Sequence, residues 1–335
     1  MTAQYFKYLL EFKRPGGTSR GVLHIKETFI LEIFYKGKKG VGECALFRGL
    51  SYDDKPQYEK KLQWLCENIG LDSQYLKEEL KEFPSIWFGY EQAVLNLKNG
   101  ENLYFPGEFT EAGTPITING LIWMGDIGFM EEQIQEKLDG GFHCIKLKIG
   151  VDWNSEHEIL KKLRQKFSKD QLELRVDANG GFTGEQAKTV LQQLSDLNIH
   201  SIEQPVKAGS RSEMAELCAN TPTPVALDEE LIGIIGLDEK IKLLEEIKPQ
   251  YIILKPALIG GFSGCDEWIS IAANKNIGWW ITSALESNIG LNAIAQYTFT
   301  KNNAMPQGLG TGGLFTNNFE SHLRLEGDKL YFNNK

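Results

Sequence analysis

The 335 residues predict an α/β protein, a (β/α)7β TIM-like barrel carrying an α+β capping domain. Three observations predict it. Short β-rich runs alternate with helix-length stretches from about residue 115 onward. Charged residues end those runs at a nearly fixed interval. The first hundred residues follow another pattern, strands first and helices after.

Residues 5–13, 21–35 and 38–44 alternate apolar and polar, as in Val22-Leu23-His24-Ile25 and Leu31-Glu32-Ile33-Phe34-Tyr35. Lys36-Gly37-Lys38-Lys39-Gly40 reads as a hairpin connection. Residues 56–100 then carry helical spacing, with Leu62, Leu65, Cys66 and Ile69 on one face. These elements define a capping unit over 1–112, completed by about 312–335, and leave 113–311 to the barrel.

The barrel runs are Ile116–Trp123, Cys144–Gly150, Leu172–Asn179, Ile199–Pro205, Pro224–Glu229, Tyr251–Ala257 and Trp279–Ser283, with Pro306–Thr311 a weak eighth. No helix-length segment separates the eighth run from 320–335, which reads as strand returning to the first unit. An open doubly wound sheet is the competing architecture. It is disfavoured because no G-x-G-x-x-G opens a helix after the first strand.

Composition bounds the function. Apolar residues are 41% and charged residues 24%, as in a soluble globular protein. A net charge of −9 without a Lys/Arg stripe argues against nucleic acid and anionic membrane as partners. Cys44, Cys66, Cys144, Cys218 and Cys265 form no CxxC pair and read as free thiols of a reducing compartment. The start has no basic segment followed by an apolar run, so a cytoplasmic protein is expected. The oligomeric state stays open.

The informative residues are Lys148, Asp177, Glu203, Asp228 and Lys255. They are spaced 177−148 = 29, 203−177 = 26, 228−203 = 25 and 255−228 = 27 residues apart, about one βα unit each. Each therefore ends a successive strand, where barrel enzymes place their chemistry. Three converging carboxylates repel and raise one another's pKa, and a divalent cation removes the conflict. All-oxygen ligands favour Mg²⁺, or Mn²⁺ in its place, over zinc. The five histidines, His24, His143, His157, His200 and His322, are scattered and end no strand.

Lys146 and Lys148 lie two apart, so on a strand both point to one face, here the barrel interior. A second ammonium and a metal nearby would let Lys148 act as a base near neutral pH. Arg175 and Asp177 share a face in the same way. Two roles stay open for Arg175: orienting Lys148 and screening the carboxylates, or a structural ion pair.

Lys146-Leu147-Lys148, Val176-Asp177-Ala178-Asn179, Ile202-Glu203-Gln204-Pro205, Leu227-Asp228-Glu229 and Leu254-Lys255-Pro256 resemble the enolase superfamily, muconate-lactonizing subgroup, over nearly the whole chain. Within it, Lys255–Gly261, Ser283–Leu291 and Asn119-Gly120-Leu121-Ile122 are similar to the o-succinylbenzoate synthase family. The resemblance implies dehydration of 2-succinyl-6-hydroxy-2,4-cyclohexadiene-1-carboxylate, a small-molecule carboxylate, through a Mg²⁺-stabilised enediolate. It implies Asp177, Glu203 and Asp228 as metal ligands, Lys148 as the base and Lys255 as a cation stabilising the developing charge. Substrate contacts fall to Lys146 and Arg175, and to Thr282 and Ser283 on the succinyl arm. Gly42-Glu43-Cys44 with Leu50-Ser51 resembles a substrate loop of the cap, and Gly16–Arg20 its lid.

Dipeptide epimerase and muconate cycloisomerase are the alternatives within the superfamily. An epimerase of this kind carries an Asp-x-Asp after strand eight for the substrate's ammonium, and Gly308–Phe315 offers no acid. A Schiff-base aldolase using Lys255 would leave the three carboxylates unexplained. A non-catalytic binding protein would not need all five charged residues.

Overall fold

The computed structural model describes residues 1–18 and 21–333. Strands β1 (Thr2–Thr18), β2 (Gly21–Tyr35) and β3 (Lys38–Cys44) form an antiparallel sheet in that order. Tyr35 pairs with Lys38, so the β2–β3 loop is Lys36-Gly37, and both take positive φ (49° and 76°). Such a turn matches the right-handed twist of its strands.

Helices α1 (Tyr58–Glu67), α2 (Ser73–Leu80) and α3 (Pro84–Asn99) cover one face of this sheet. The Asp72 carboxylate accepts from the amides of Gln74 and Tyr75 and starts α2. Phe29, Leu31 and Ile33 pack on Leu62, Leu65 and Trp87 to make a core of their own. Strand β3 lies directly on α3: a Cβ on Gly42 would stand 2.0 Å from the Gly89 carbonyl oxygen. Only glycine fits so close a backbone approach.

After a short helix α4 (Glu108–Glu111) and strand β4 (Ile116–Thr117) the parallel sheet begins. Its strands are β5 (Gly120–Ile122), β6 (Cys144–Lys148), β7 (Glu173–Asp177), β8 (Ser201–Glu203), β9 (Val225–Leu227), β10 (Tyr251–Leu254) and β11 (Gly278–Ile281), hydrogen-bonded in chain order. Helices α5 (Ile127–Asp139), α6 (Trp153–Lys166), α7 (Gly184–Asp196), α8 (Arg211–Asn220), α9 (Leu237–Ile247) and α10 (Gly261–Asn274) connect them, and α11 (Asn288–Phe299) follows β11. Alternation sorts the side chains. Ile145, Leu147, Leu174, Val176, Ile202 and Leu227 join the main core with the helices. The intervening residues face the other side, among them Lys146, Lys148, Arg175, Asp177 and Glu203. None of the helices among the described residues is long and apolar enough to cross a membrane.

One expectation changes. The eighth run, Pro306–Thr311, is no strand: Gln307 and Gly308 make single parallel bridges to Ile118 and Thr282. Its glycines disfavour extended pairing, and Gly308 is required there because a Cβ would stand 2.5 Å from Thr282 Oγ1. The tail runs back against the first unit over residues 314–319, with the Phe319 ring 4.6 Å from that of Tyr8, and near its end the Phe332 ring stands 6.1 Å from that of Phe109. Along the first stretch Lys13 N donates to Leu314 O (2.8 Å) and Thr316 N to Glu11 O (2.9 Å). Beyond it β12 (Leu323–Glu326) and β13 (Lys329–Phe332) form a hairpin that pairs with β4.

Candidate active site

At the C-terminal ends of β6 to β11 the sheet opens into a cavity lined by Lys146, Lys148, Asp177, Asn179, Lys255 and Thr282, with Leu23 and Leu50 from the first unit. A larger crevice of about 860 Å³ lies near Tyr52, Lys77 and Lys240, but none of the strand-end charges reaches it.

Register explains why the charges meet. Lys148 pairs with Asp177 and Asp177 with Glu203, side by side. Glu203 pairs with Ala226, so Asp228 stands two residues further, and Ala226 pairs with Tyr251, which sets Lys255 two further again. This stagger is the shear that brings tilted strand ends to one level.

The Asp177 Oδ2 accepts from Lys146 Nζ (3.1 Å) and Lys148 Nζ (3.0 Å). Lys146 Nζ also donates to Glu203 Oε2 (2.7 Å), and Lys148 Nζ to Asn179 Oδ1 (2.7 Å). Lys255 Nζ is hydrogen-bonded to Asp228 Oδ2 and stands 3.7 Å from Glu203 Oε1. Asp177, Glu203 and Asp228 are 1%, 1% and 2% exposed, so these charges interact through little water. Burial would raise the Asp177 carboxyl, but Lys146, Lys148 and Lys255 together hold it well below the usual range. Burial would lower Lys255, yet Asp228, Glu203 and Glu229 outweigh it and keep the ammonium charged.

Backbone strain marks the same edge. Asn179, Gln204 and Leu285 have φ of 44°, 42° and 62°. Such conformations cost about 1–3 kcal/mol each and collect at functional sites. At Gln204 the turn lets Oε1 accept from the amides of Asp228 and Glu230, both at 3.2 Å. It thereby ties the end of β8 to that of β9.

Arg175 requires a correction. It does not reach the cavity: its Nε donates to Glu173 Oε1 (2.7 Å), its Nη1 to Pro306 O (2.9 Å), and the guanidinium stacks 4.2 Å from the Trp280 ring. Spacing of two residues fixed its face, but its long side chain turns toward the N-terminal end of the sheet. Ser283 does line the cavity, with its hydroxyl engaged by neighbouring groups. Its hydroxyl donates to Glu286 Oε2 (2.6 Å) and accepts from Leu285 N (3.1 Å) and Thr311 Oγ1 (2.8 Å). Thr282 lines the cavity, and its Oγ1 has no partner among the described residues. Asn119, Asn179 and Thr311 also line it and were not singled out by strand-end charge.

Of the segments likened to loops of a cap, Leu50 lines the cavity, whereas Glu43 is fully buried elsewhere. Its carboxylate accepts from Thr28 Oγ1 (2.8 Å), Ser287 N (3.0 Å) and Gly290 N (3.0 Å), at the start of α11. Gly16 and Gly17 lie against Trp123 and Met124; Ser19 and Arg20 lie outside the described residues.

As placed, no three acid, His or Cys side chains among the described residues surround a point where an ion could sit, because lysines bridge the carboxylates. The donor chemistry nevertheless fits a hard divalent cation. Three carboxylates stand on adjacent strand ends, and Glu203 Oε1 is buried without a hydrogen-bond partner among the described residues.

Residues 130–328 match the family model described as enolase C-terminal domain-like. The chain is 44% identical to the o-succinylbenzoate synthase of Desulfotalea psychrophila, over 98% of this chain and 98% of that one. Among solved structures it is similar to MenC from the same organism, with a TM-score of 0.88, 40% identity and 99% of both chains covered. It is also similar in fold to a substrate-liganded L-Ala-D/L-Glu epimerase from Bacillus subtilis, with a TM-score of 0.86 and 18% identity, over 99% of this chain and 96% of that one.

Proposed function

The chain belongs to the enolase C-terminal domain-like family, and from that premise we infer that it is an o-succinylbenzoate synthase, a carbon–oxygen lyase of menaquinone biosynthesis. It dehydrates 2-succinyl-6-hydroxy-2,4-cyclohexadiene-1-carboxylate to 2-succinylbenzoate. The observation that carries this reading is the full-length likeness to an o-succinylbenzoate synthase.

The parallel sheet is read as a (β/α)7β barrel under an α+β cap, supported by the bridges of Gln307 and Gly308 to both edges. Lys148 removes the proton alpha to the ring carboxylate and returns it to the departing hydroxyl on the same face. One C–H and one C–O bond break, water leaves, and the ring becomes aromatic. Asp177 and Asn179 hold the Lys148 Nζ for this. Lys255, kept charged by Asp228, faces the electron-rich enediolate as a cation and moves no proton. Lys146 fixes Asp177 and Glu203 relative to each other. The neutral side of the cavity, with Asn119, Thr282 and Thr311, remains for the succinyl arm.

Members of the enolase superfamily use Mg²⁺. In this chain Asp177, Glu203 and Asp228 would hold it, and the same oxygen set accepts Mn²⁺. When bound, the cation supplies electrostatic stabilisation to the substrate's ring carboxylate.

Dipeptide epimerisation is disfavoured by the same cavity. Gly308, Gly310 and Thr311 line the side that would have to hold an ammonium, and they bring no carboxylate there. The test is the loss of diene absorbance on adding protein to the cyclohexadiene substrate, with and without chelator. Turnover that depends on added Mg²⁺ supports the reading. Dipeptide epimerisation at a rivalling rate would sink it.

A further inference from the structure

Glu229 carries no step of the reaction above, yet it touches a side chain that holds the base. Lys148 Nζ donates to Asn179 Oδ1 (2.7 Å), and Asn179 Nδ2 donates to Glu229 Oε1 (3.0 Å). Together the two bonds decide which way the Asn179 amide faces. An ammonium only donates, so it needs the amide oxygen. The NH₂ group is then turned to Glu229, where an acceptor stands.

The amide is the freedom that matters, because the backbone around it is fixed. Ala178 N donates to Glu203 O (3.0 Å) and Gly180 N to Gln204 O (2.7 Å), which holds the chain on both sides of Asn179. Asn179 N donates to Asp177 Oδ1 (3.1 Å), and its φ of 44° is one that asparagine adopts more readily than most residues. What remains is the last side-chain torsion, which is broad and roughly two-fold. Turned over, the amide would set its NH₂ against the Lys148 ammonium, donor facing donor.

Glu229 is itself held. Gln204 Oε1 accepts from Asp228 N and Glu230 N, the residues on either side of it, both at 3.2 Å. A single 3₁₀ turn, Glu229–Leu231, starts at the same place. The end of β8 thus fixes the turn after β9, that turn fixes the amide after β7, and the amide fixes the lysine of β6. Each link is a direct hydrogen bond.

We propose that Glu229 is a positioning residue for the base: it orients the Asn179 amide and through it aims the Lys148 Nζ at the substrate's proton. The aim rests on the dehydration reading; the orientation of the amide does not. Glu229 also lies within electrostatic reach of Lys255 and Asp228. A role through that field needs its charge. Positioning needs only its acceptor oxygen, which a carboxyl group offers in either ionisation state.

The experiment compares Glu229→Met, which removes acceptor and charge, with Glu229→Gln, which removes the charge alone. With Mg²⁺ and the cyclohexadiene substrate, Glu229→Met should lose roughly 10–100-fold in kcat, with KM changed less than about threefold. Glu229→Gln should recover kcat to within about fivefold of wild type. Proton exchange at the Asn179 side-chain amide, followed by NMR in the full chain without substrate, should quicken in Glu229→Met and stay slow in Glu229→Gln. Equal loss of kcat in both variants would assign Glu229 to the field and overturn the proposal, as would wild-type kcat in Glu229→Met. If Glu229→Met does not fold, Asn179→Asp carries the test, alone and combined with Glu229→Gln. The single variant sets two carboxyl groups face to face and should lose activity; the pair restores a donor between them and should regain it. No recovery in the pair would overturn the proposal. Should the wild-type protein fail to dehydrate the diene, the proposed function falls. Exchange at the Asn179 amide then decides alone: faster in Glu229→Met supports the positioning role, and equal to wild type overturns it.

Discussion

The two ends of the sheet's polar face hold buried charge in opposite ways. At the N-terminal end, Arg175 is one positive charge, held by the Glu173 carboxylate, the Pro306 carbonyl and the face of Trp280, which packs with Ala226 and Ile253. At the C-terminal end, three lysines share three carboxylates, Asp177 serves two ammonium groups at once, and the backbone is strained at Asn179 and Gln204. One arrangement settles its charges; the other leaves them in competition. Groups in competition can exchange partners when a substrate or cation arrives, which a catalytic site requires and a structural ion pair does not.

The widest separation between the ends should come from Lys148 and Asp177. Lys148→Ala is expected to lose activity by more than the ~10²–10⁴-fold typical of a positioned acid–base group, because it serves two steps. Asp177→Asn should abolish turnover and Mg²⁺ binding by calorimetry, with the circular dichroism spectrum unchanged. Full activity in chelated protein would break this half of the comparison.

Next are the two lysines compared as arginines. Lys148→Arg should be nearly inactive, since a guanidinium does not give up its proton. Lys255→Arg keeps its charge and should retain measurable turnover in the same diene assay. Equal, complete loss in both variants would mean that both lysines move protons.

Arg175→Met should act on stability rather than chemistry. Breaking a fully buried pair costs about 3–5 kcal/mol; Glu173 is partly exposed, so the cost here should be smaller, and urea unfolding should shift to lower denaturant with KM unchanged. A change in KM with normal stability would return Arg175 to the active site.

The smallest effect lies outside both ends. Burial pushes Glu91 from its ordinary 4.5 up to about 7, against the amides of Phe262 and Ser263 that it accepts from. Its folded pKa is the higher one, so the folded state binds the proton more tightly. The cost of ionising it is absent below about 4.5, grows as pH rises, and is complete above about 7. Glu91→Gln should flatten the decline in unfolding free energy between those limits, by on the order of 1–3 kcal/mol.

Much of the site was legible because two periods coincide. A strand alternates every second residue and a βα unit repeats at near-constant length, so Lys148, Asp177, Glu203, Asp228 and Lys255 announce themselves by interval alone. Direction along the barrel has no such signature: Lys146 and Arg175 occupy equivalent places on neighbouring strands, yet one turns up and the other down. Asn119, Asn179 and Thr311 are neutral and gave no charge signal. The eighth strand shrinks to two bridged residues, Gln307 and Gly308, the latter a glycine because a Cβ would meet Thr282.

The Glu43 carboxylate that receives the amides of Ser287 and Gly290 spans 244 residues to reach the first of them. During synthesis the first sheet emerges early, while α11 leaves the ribosome near the end. Until then Glu43 has no helix start to bond, and the closing interface cannot form. Contacts this distant are paid for in loop entropy before they return anything, and they slow folding. The N-terminal unit should therefore wait, its inner face uncovered, for nearly the whole chain. A nascent chain stalled just before residue 287 should expose that face to protease, and one released after Phe299 should not.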